Sequence, residues 1–193
     1  MGRMRSFAVT VGVVLLAASL VRAQEDVQVR MQSWSTALGV ECGHCHVLNQ
    51  WSDASKPVFG FAQRMSRMVN GLNAGALKDL GGVTCWTCHR GRTIPARVPR
   101  GEWEKIQVDH AAEFDGNSER ALAMSVYAAS LGTDCSHCHT ANRADNTKPA
   151  KAMVARMSAI FDELPKYFDE SRQPRTQCYM CHQGKVKPER GPQ

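Results

Sequence analysis

The chain has 193 residues, 43% of them apolar and 22% charged, with 24 Lys and Arg against 18 Asp and Glu for a formal charge of +6. Arg3, Arg5 and Arg22 fall in an N-terminal stretch that reads as a removable leader, so the working chain would carry +3. No nucleic-acid-binding motif accompanies that charge, and nucleic acid is not among the expected partners.

Residues 1–23 read as a signal peptide: Arg3 and Arg5, an apolar run from Phe7 to Val21, then Val21-Arg22-Ala23, which resembles a small-residue cleavage site. The run is shorter than the roughly 20 residues of a spanning helix, which makes an uncleaved anchor the lesser alternative. No cysteine stands beside the cut to take a lipid. The mature chain is expected to begin near Gln24 and to reside in a bacterial periplasm.

A helix is predicted over 27–38, where Gly and Pro are absent and Gly39 can supply a left-handed cap. Cys42-Gly43-His44-Cys45-His46 follows at once. Cys-x-x-Cys alone suits zinc, a redox disulfide or an iron–sulfur cluster. Here the same pattern returns at Cys85-Cys88-His89, Cys135-Cys138-His139 and Cys178-Cys181-His182, so that a His follows every pair and all 8 cysteines are used. Two thiols that add across porphyrin vinyl groups, followed by an imidazole that reaches the iron, make a c-type haem site. Four covalently bound c-type haems are therefore expected, with His46, His89, His139 and His182 as proximal ligands. Zinc would pair two knuckles per ion and has no use for the added histidines.

A second helix is predicted from Val58 to Leu72, ahead of the second motif. The stretch Arg90 to Arg100, with Gly91, Pro95 and Pro99, breaks periodicity and reads as a linker. Residues 120–131 repeat the first helix and end at Gly132. Ala150 to Leu164 repeats the second and is stopped by Pro165. The cysteines confirm a duplication, because Cys42 to Cys85 and Cys135 to Cys178 both span 43 residues, at an offset of 93. Met31 maps onto Met124, Leu38-Gly39 onto Leu131-Gly132, and, with one residue gained or lost, Arg64-Met65-Ser66 onto Arg156-Met157-Ser158. The expected fold is mainly α with little strand, built as two di-haem modules over 24–100 and 101–193, with the haem plates forming much of the core.

Haem iron that only transfers electrons is usually six-coordinate, so each haem needs a distal ligand. Met31 and Met124 lie 11 residues before Cys42 and Cys135, while Met65 and Met157 lie 20 and 21 before Cys85 and Cys178. These four form the expected distal set. Met68 and Met153 sit one turn from Met65 and Met157 and are alternatives to them. Methionine that merely fills gaps between haem edges is the competing reading. His44 and His137 occupy the tight loop of their own motifs and are expected to be exposed. His110 is read as an exposed histidine between modules, with a bis-His haem as its alternative role.

The Leu38-Gly39-Val40 lead-in, the Gly82-Val83-Thr84-Cys85-Trp86-Thr87-Cys88-His89-Arg90-Gly91 string and the run from Arg64-Met65 to Met68-Val69 resemble the tetrahaem cytochrome c subunit of purple-bacterial photosynthetic reaction centres. The resemblance covers nearly the whole mature chain. It implies two pseudo-twofold-related di-haem modules, a row of closely spaced haems outside the membrane that re-reduces the photo-oxidised chlorophyll pair, and Met ligands matching Met31, Met65 and Met124. It also implies a histidine ligand for the fourth haem shortly before the second motif. Gly75 to Leu80 contains none, so Met157, Met153 or His110 must serve there, or that iron is open.

Electron transfer without bond chemistry is the expected function, with redox proteins as partners: a membrane photosynthetic reaction centre or a respiratory complex. Self-assembly into a haem wire is a further alternative. A multihaem reductase would need one five-coordinate haem with polar groups over its open face. Four His-terminated motifs, each with a nearby Met, argue against an enzyme.

Overall fold

A computed structural model of the chain describes residues 26–114, 116–167 and 178–191; the signal peptide expected over 1–23 lies outside them. Among the described residues the secondary structure is helical, and β pairing is confined to a single bridge between Val47 and Gln50. The helices are α1 (26–38), α2 (Cys42–Cys45), α3 (Pro57–Ala74), α4 (Cys85–His89), α5 (Arg100–Asp109), α6 (Ser118–Leu131), α7 (Cys135–Cys138), α8 (Pro149–Glu163) and α9 (Tyr179–His182). Three 3₁₀ turns join them, at Lys78–Leu80, Ala111–Phe114 and Leu164–Tyr167.

The two glycine caps fall where the sequence places them. Gly39 closes α1 at φ +66° and Gly132 closes α6 at φ +60°. Each also lies hard against a backbone from beyond a later motif: a Cβ on Gly39 would overlap the Gly91 carbonyl oxygen, and one on Gly132 would overlap that of Gly184. The approach is held by equivalent hydrogen bonds, Gly91 N–H to the Ala37 carbonyl (2.8 Å) and Gly184 N–H to the Ser130 carbonyl (2.9 Å). The 93-residue repeat of the sequence thus returns as a repeat of tertiary contacts.

The long helices start by a shared device. Asp53-Ala54-Ser55-Lys56-Pro57 leads into α3 and Asp145-Asn146-Thr147-Lys148-Pro149 into α8. The Asp carboxylate accepts from the Ser55 (2.7 Å) or Thr147 (2.9 Å) N–H, and Pro takes the first helical position, where no donor is needed. Helix α8 ends at Glu163, ahead of Pro165, and tightens into the Leu164–Tyr167 turn.

The linker holds no helix until Arg100, where α5 begins; this helix was not anticipated. Its sequence carries Gly101 and few apolar residues, so no amphipathic period announces it. Arg100–Glu104 and Lys105–Asp109 ion pairs at i,i+4 brace it, and its main neighbour is α6. Packing therefore decides this element.

The polypeptide core is thin. Among the described residues, Ala37, Leu77, Val98, Phe114, Ala121, Ala129, Ile160, Leu164 and Met180 are its buried apolar members, and the fully buried side chains are the small polar Thr87, Ser125 and Ser130. Helices α4, α6 and α9 pack around these small residues. The halves interlock at several points. Arg156 donates to the Ala76 carbonyl (3.0 Å), Arg190 donates to the Leu80 carbonyl (3.0 Å), and Thr84 Oγ1 donates to the Arg190 carbonyl (2.9 Å).

Candidate haem sites

Each motif is a single helical turn, which sets its two cysteines at i and i+3 on one side, with the histidine just beyond. Backbone bonds close the turn: His46 N–H to Cys42 O (3.0 Å), His139 N–H to Cys135 O (2.9 Å) and His182 N–H to Cys178 O (3.0 Å). The second motif has extra support. Asn73 clamps Val83 through both amide atoms, at 2.7 and 2.9 Å, and Thr84 with Thr87 forms a capping box at the start of α4. Burial pushes the Cys45, Cys85, Cys138 and Cys178 thiols up from their ordinary values, keeping them protonated.

The imidazoles are oriented by their Nδ1 atoms. Nδ1 of His46 lies 3.0 Å from the Trp51 carbonyl, that of His89 is 2.8 Å from Arg92 O, and that of His182 is 2.9 Å from Lys185 O. A carbonyl partner makes Nδ1 the donor and leaves Nε2 with its lone pair, the arrangement seen for metal-ligating histidines. Burial also pushes the His89 pKa down and favours the neutral, ligating form. The His46 ring is further edged by Trp51 and Phe59, with centroids at 5.7 and 5.3 Å. His139 Nδ1 is buried without a hydrogen-bond partner. The first motif combines two unpaired thiols with an imidazole whose Nε2 is left free, a donor set that fits a c-type haem; the third shares the unpaired thiols, and the second and fourth share the imidazole orientation.

One contact was not anticipated. Cys88 and Cys181, the second cysteines of the second and fourth motifs, are joined as a disulfide with Cα atoms 4.1 Å apart. Cys42, Cys45, Cys85, Cys135, Cys138 and Cys178 are unpaired. The bridge is flanked reciprocally: Arg90 donates to the Cys181 carbonyl (3.0 Å) and Gln183 to the Cys88 carbonyl (3.5 Å). Arg90 and Gln183 both adopt positive φ, at 47° and 45°, and they too are equivalents in the repeat. A disulfide and a thioether are alternatives at these sulfurs, since each sulfur forms one bond beyond its Cβ. The only available signal was the repeat itself, because equivalent residues of two related halves meet where the halves meet.

The distal candidates lie on the helix preceding each motif: Met31 on α1, Met65 on α3, Met124 on α6 and Met157 on α8. All four are half-buried. Met68 is half-buried as well, whereas Met153 is 38% exposed, which leaves Met157 the better sheltered of its pair. His44 is exposed, as expected, but His137 is half-buried. His110 is also half-buried: its Nδ1 lies 2.7 Å from Glu113, which pairs with Arg143, and its ligand atom lies within 4.8 Å of Cys135. It therefore stands beside the third motif.

Sequence reasoning passed over Lys56 and Lys148. Each reaches back from the start of a long helix to a carbonyl inside the preceding motif, Lys56 to Gly43 and Lys148 to Ser136. The signal was present as the repeated Asp-x-Ser/Thr-Lys-Pro string.

The family described as "Photosynthetic reaction centre cytochrome C subunit" matches residues 12–119, a stretch that includes the first two motifs. The photosynthetic reaction center cytochrome c subunit of Rubrivivax gelatinosus is 24% identical over 223 aligned positions, covering 79% of this chain. The chain spans 60% of that relative's length.

Proposed function

This chain belongs to the photosynthetic reaction centre cytochrome c subunit family, and from that membership we propose that it is a periplasmic four-haem electron carrier with no bond-making chemistry. The observation that carries the reading is the orientation of His46, His89 and His182, each with Nδ1 on a backbone carbonyl and Nε2 left for iron. Cys42, Cys45, Cys85, Cys88, Cys135, Cys138, Cys178 and Cys181 would hold the four haems, and His46, His89, His139 and His182 would be their proximal ligands. Met31, Met65, Met124 and Met157 would close the distal faces.

Bound haem supplies a one-electron couple, and the chain sets its surroundings. The carbonyl partners fix the imidazole plane and tautomer of His46, His89 and His182. Lys56 and Lys148 hold the long helices, and with them Met65 and Met157, against the preceding motif. The sulfurs of Cys88 and Cys181 meet at the junction of the halves, so haems held by the second and fourth motifs would lie on that junction, which supports passage of electrons between modules there. The modules are 24–100 and 101–193. Among the described residues no helix is long and apolar enough to cross a membrane. The family points to a photosynthetic reaction centre as the acceptor.

The test is a spectroscopic redox titration of the purified holoprotein that follows the Soret and alpha bands and the near-infrared Met-to-iron band. Four low-spin waves with methionine signatures are expected. One high-spin, ligand-binding haem would sink the four-methionine assignment and bring back the reductase reading.

A further inference from the structure

We propose that Cys88 and Cys181 form a thiol–disulfide lock on haem loading: the first and third motifs fill in the oxidised chain, whereas the second and fourth fill completely only after a dithiol reductant opens the bridge. The inference rests on the four-haem reading. Its ground is the unequal state of the motifs. Both sulfurs of the first and third motifs are unpaired, while the second and fourth each contribute their second sulfur to a common bond.

The fold enforces the pairing. Gly91 and Gly184, two residues beyond the histidines of these motifs, are pinned to the ends of α1 and α6. Arg90 and Gln183 each cross to the carbonyl of the other motif's cysteine. Packing of α4 on α9 completes the junction. Two thiols held at such a place in an exported protein meet an oxidising compartment and form a bridge. Closure within a motif would have to compete with this preset contact.

The chemistry balances in two steps. A reduced dithiol of the thioredoxin type gives two electrons and two protons to the S–S bond and becomes a disulfide itself, releasing the Cys88 and Cys181 thiols. Each thiol then adds to a haem vinyl group, its sulfur bonding the inner carbon and its hydrogen passing to the terminal carbon, with no net electron transfer. Before reduction, the second and fourth motifs offer only Cys85 and Cys178, one thioether each.

The test uses the full-length chain. Exported in a host without haem-ligating machinery and alkylated without reduction, it should yield a linked peptide pair containing Cys88 and Cys181, with the other six cysteines alkylated. Pairing of Cys85 with Cys88, or eight alkylated cysteines, would overturn the lock. Matured with the ligating machinery, the chain should carry two haems joined by both thioethers when the dithiol is withheld, and four when it is supplied, as read by peptide mass mapping. In Cys181→Ser, Cys88 is freed, and fully attached haems without reductant should rise from two to three. Four complete haems regardless of reductant would sink the lock and leave the four-haem reading intact. No haem under any condition would sink both.

Discussion

Gly39 and Gly132 each carry two demands at once, a left-handed backbone and contact with a carbonyl oxygen from another segment. Substitution by Ala meets both penalties, about 1–2 kcal/mol for the conformation and about 1–3 kcal/mol for the overlap. Gly39→Ala and Gly132→Ala should each destabilise the holoprotein by roughly 2–5 kcal/mol in a denaturant titration, whereas Gly101→Ala, where a Cβ meets nothing, should not. The methionines offer a second measurement at this scale. Replacing a thioether ligand by imidazole lowers a haem potential, so Met124→His should shift one wave of the redox titration downward by on the order of a hundred millivolts. An unshifted titration would assign Met124 to packing.

The Asp-x-Ser/Thr-Lys-Pro strings show how a helix is placed, and they predict a pH response. The Ser55 and Thr147 donors hold the Asp53 and Asp145 carboxyls below their ordinary pKa. A depressed carboxyl contributes stability that is fully present above the unfolded value and is lost as pH falls through the folded one. Asp145→Ala should therefore lower the thermal midpoint at neutral pH, and the gap to wild type should close below the usual carboxylate range. A gap that persists in acid would assign the effect to something other than the charge. Helix α5 teaches the opposite lesson about elements. Nothing in Arg100–Asp109 beyond its two charge pairs asks for a helix, and it forms against α6, with Trp103 and Ile106 half-buried.

The halves of the molecule are not beads on a linker. The segment after the fourth motif returns to the first half, where Arg190 reaches the Leu80 carbonyl and Gly191 lies against the Trp86 side chain. Ending the chain at Lys187 removes those contacts and exposes the entrance to α4. The truncated holoprotein should lose about 1–3 kcal/mol of stability, with perturbation of the haem proposed at His89 ahead of the other proposed haems in absorbance-monitored unfolding. Uniform melting of the haem absorbance at the wild-type midpoint would show that this crossing adds nothing.

Much of the candidate site is legible in one dimension because the chemistry proposed for it is local. A Cys-x-x-Cys-His turn needs only five consecutive residues, and Gly39, Gly132 and Pro165 act on their own backbone, so motifs, caps and helix ends followed from spacing alone. The duplication was equally plain, since it is a statement about sequence. Which equivalent residues would touch was not. The meeting of Cys88 with Cys181, the seating of Gly91 and Gly184 on α1 and α6, the formation of α5 and the return of Arg190 all join groups far apart in the chain. Their free energy comes from burial and hydrogen bonds that exist only after the halves have packed. Local preference determined the pieces and their chemistry; long-range packing decided which sulfurs face each other.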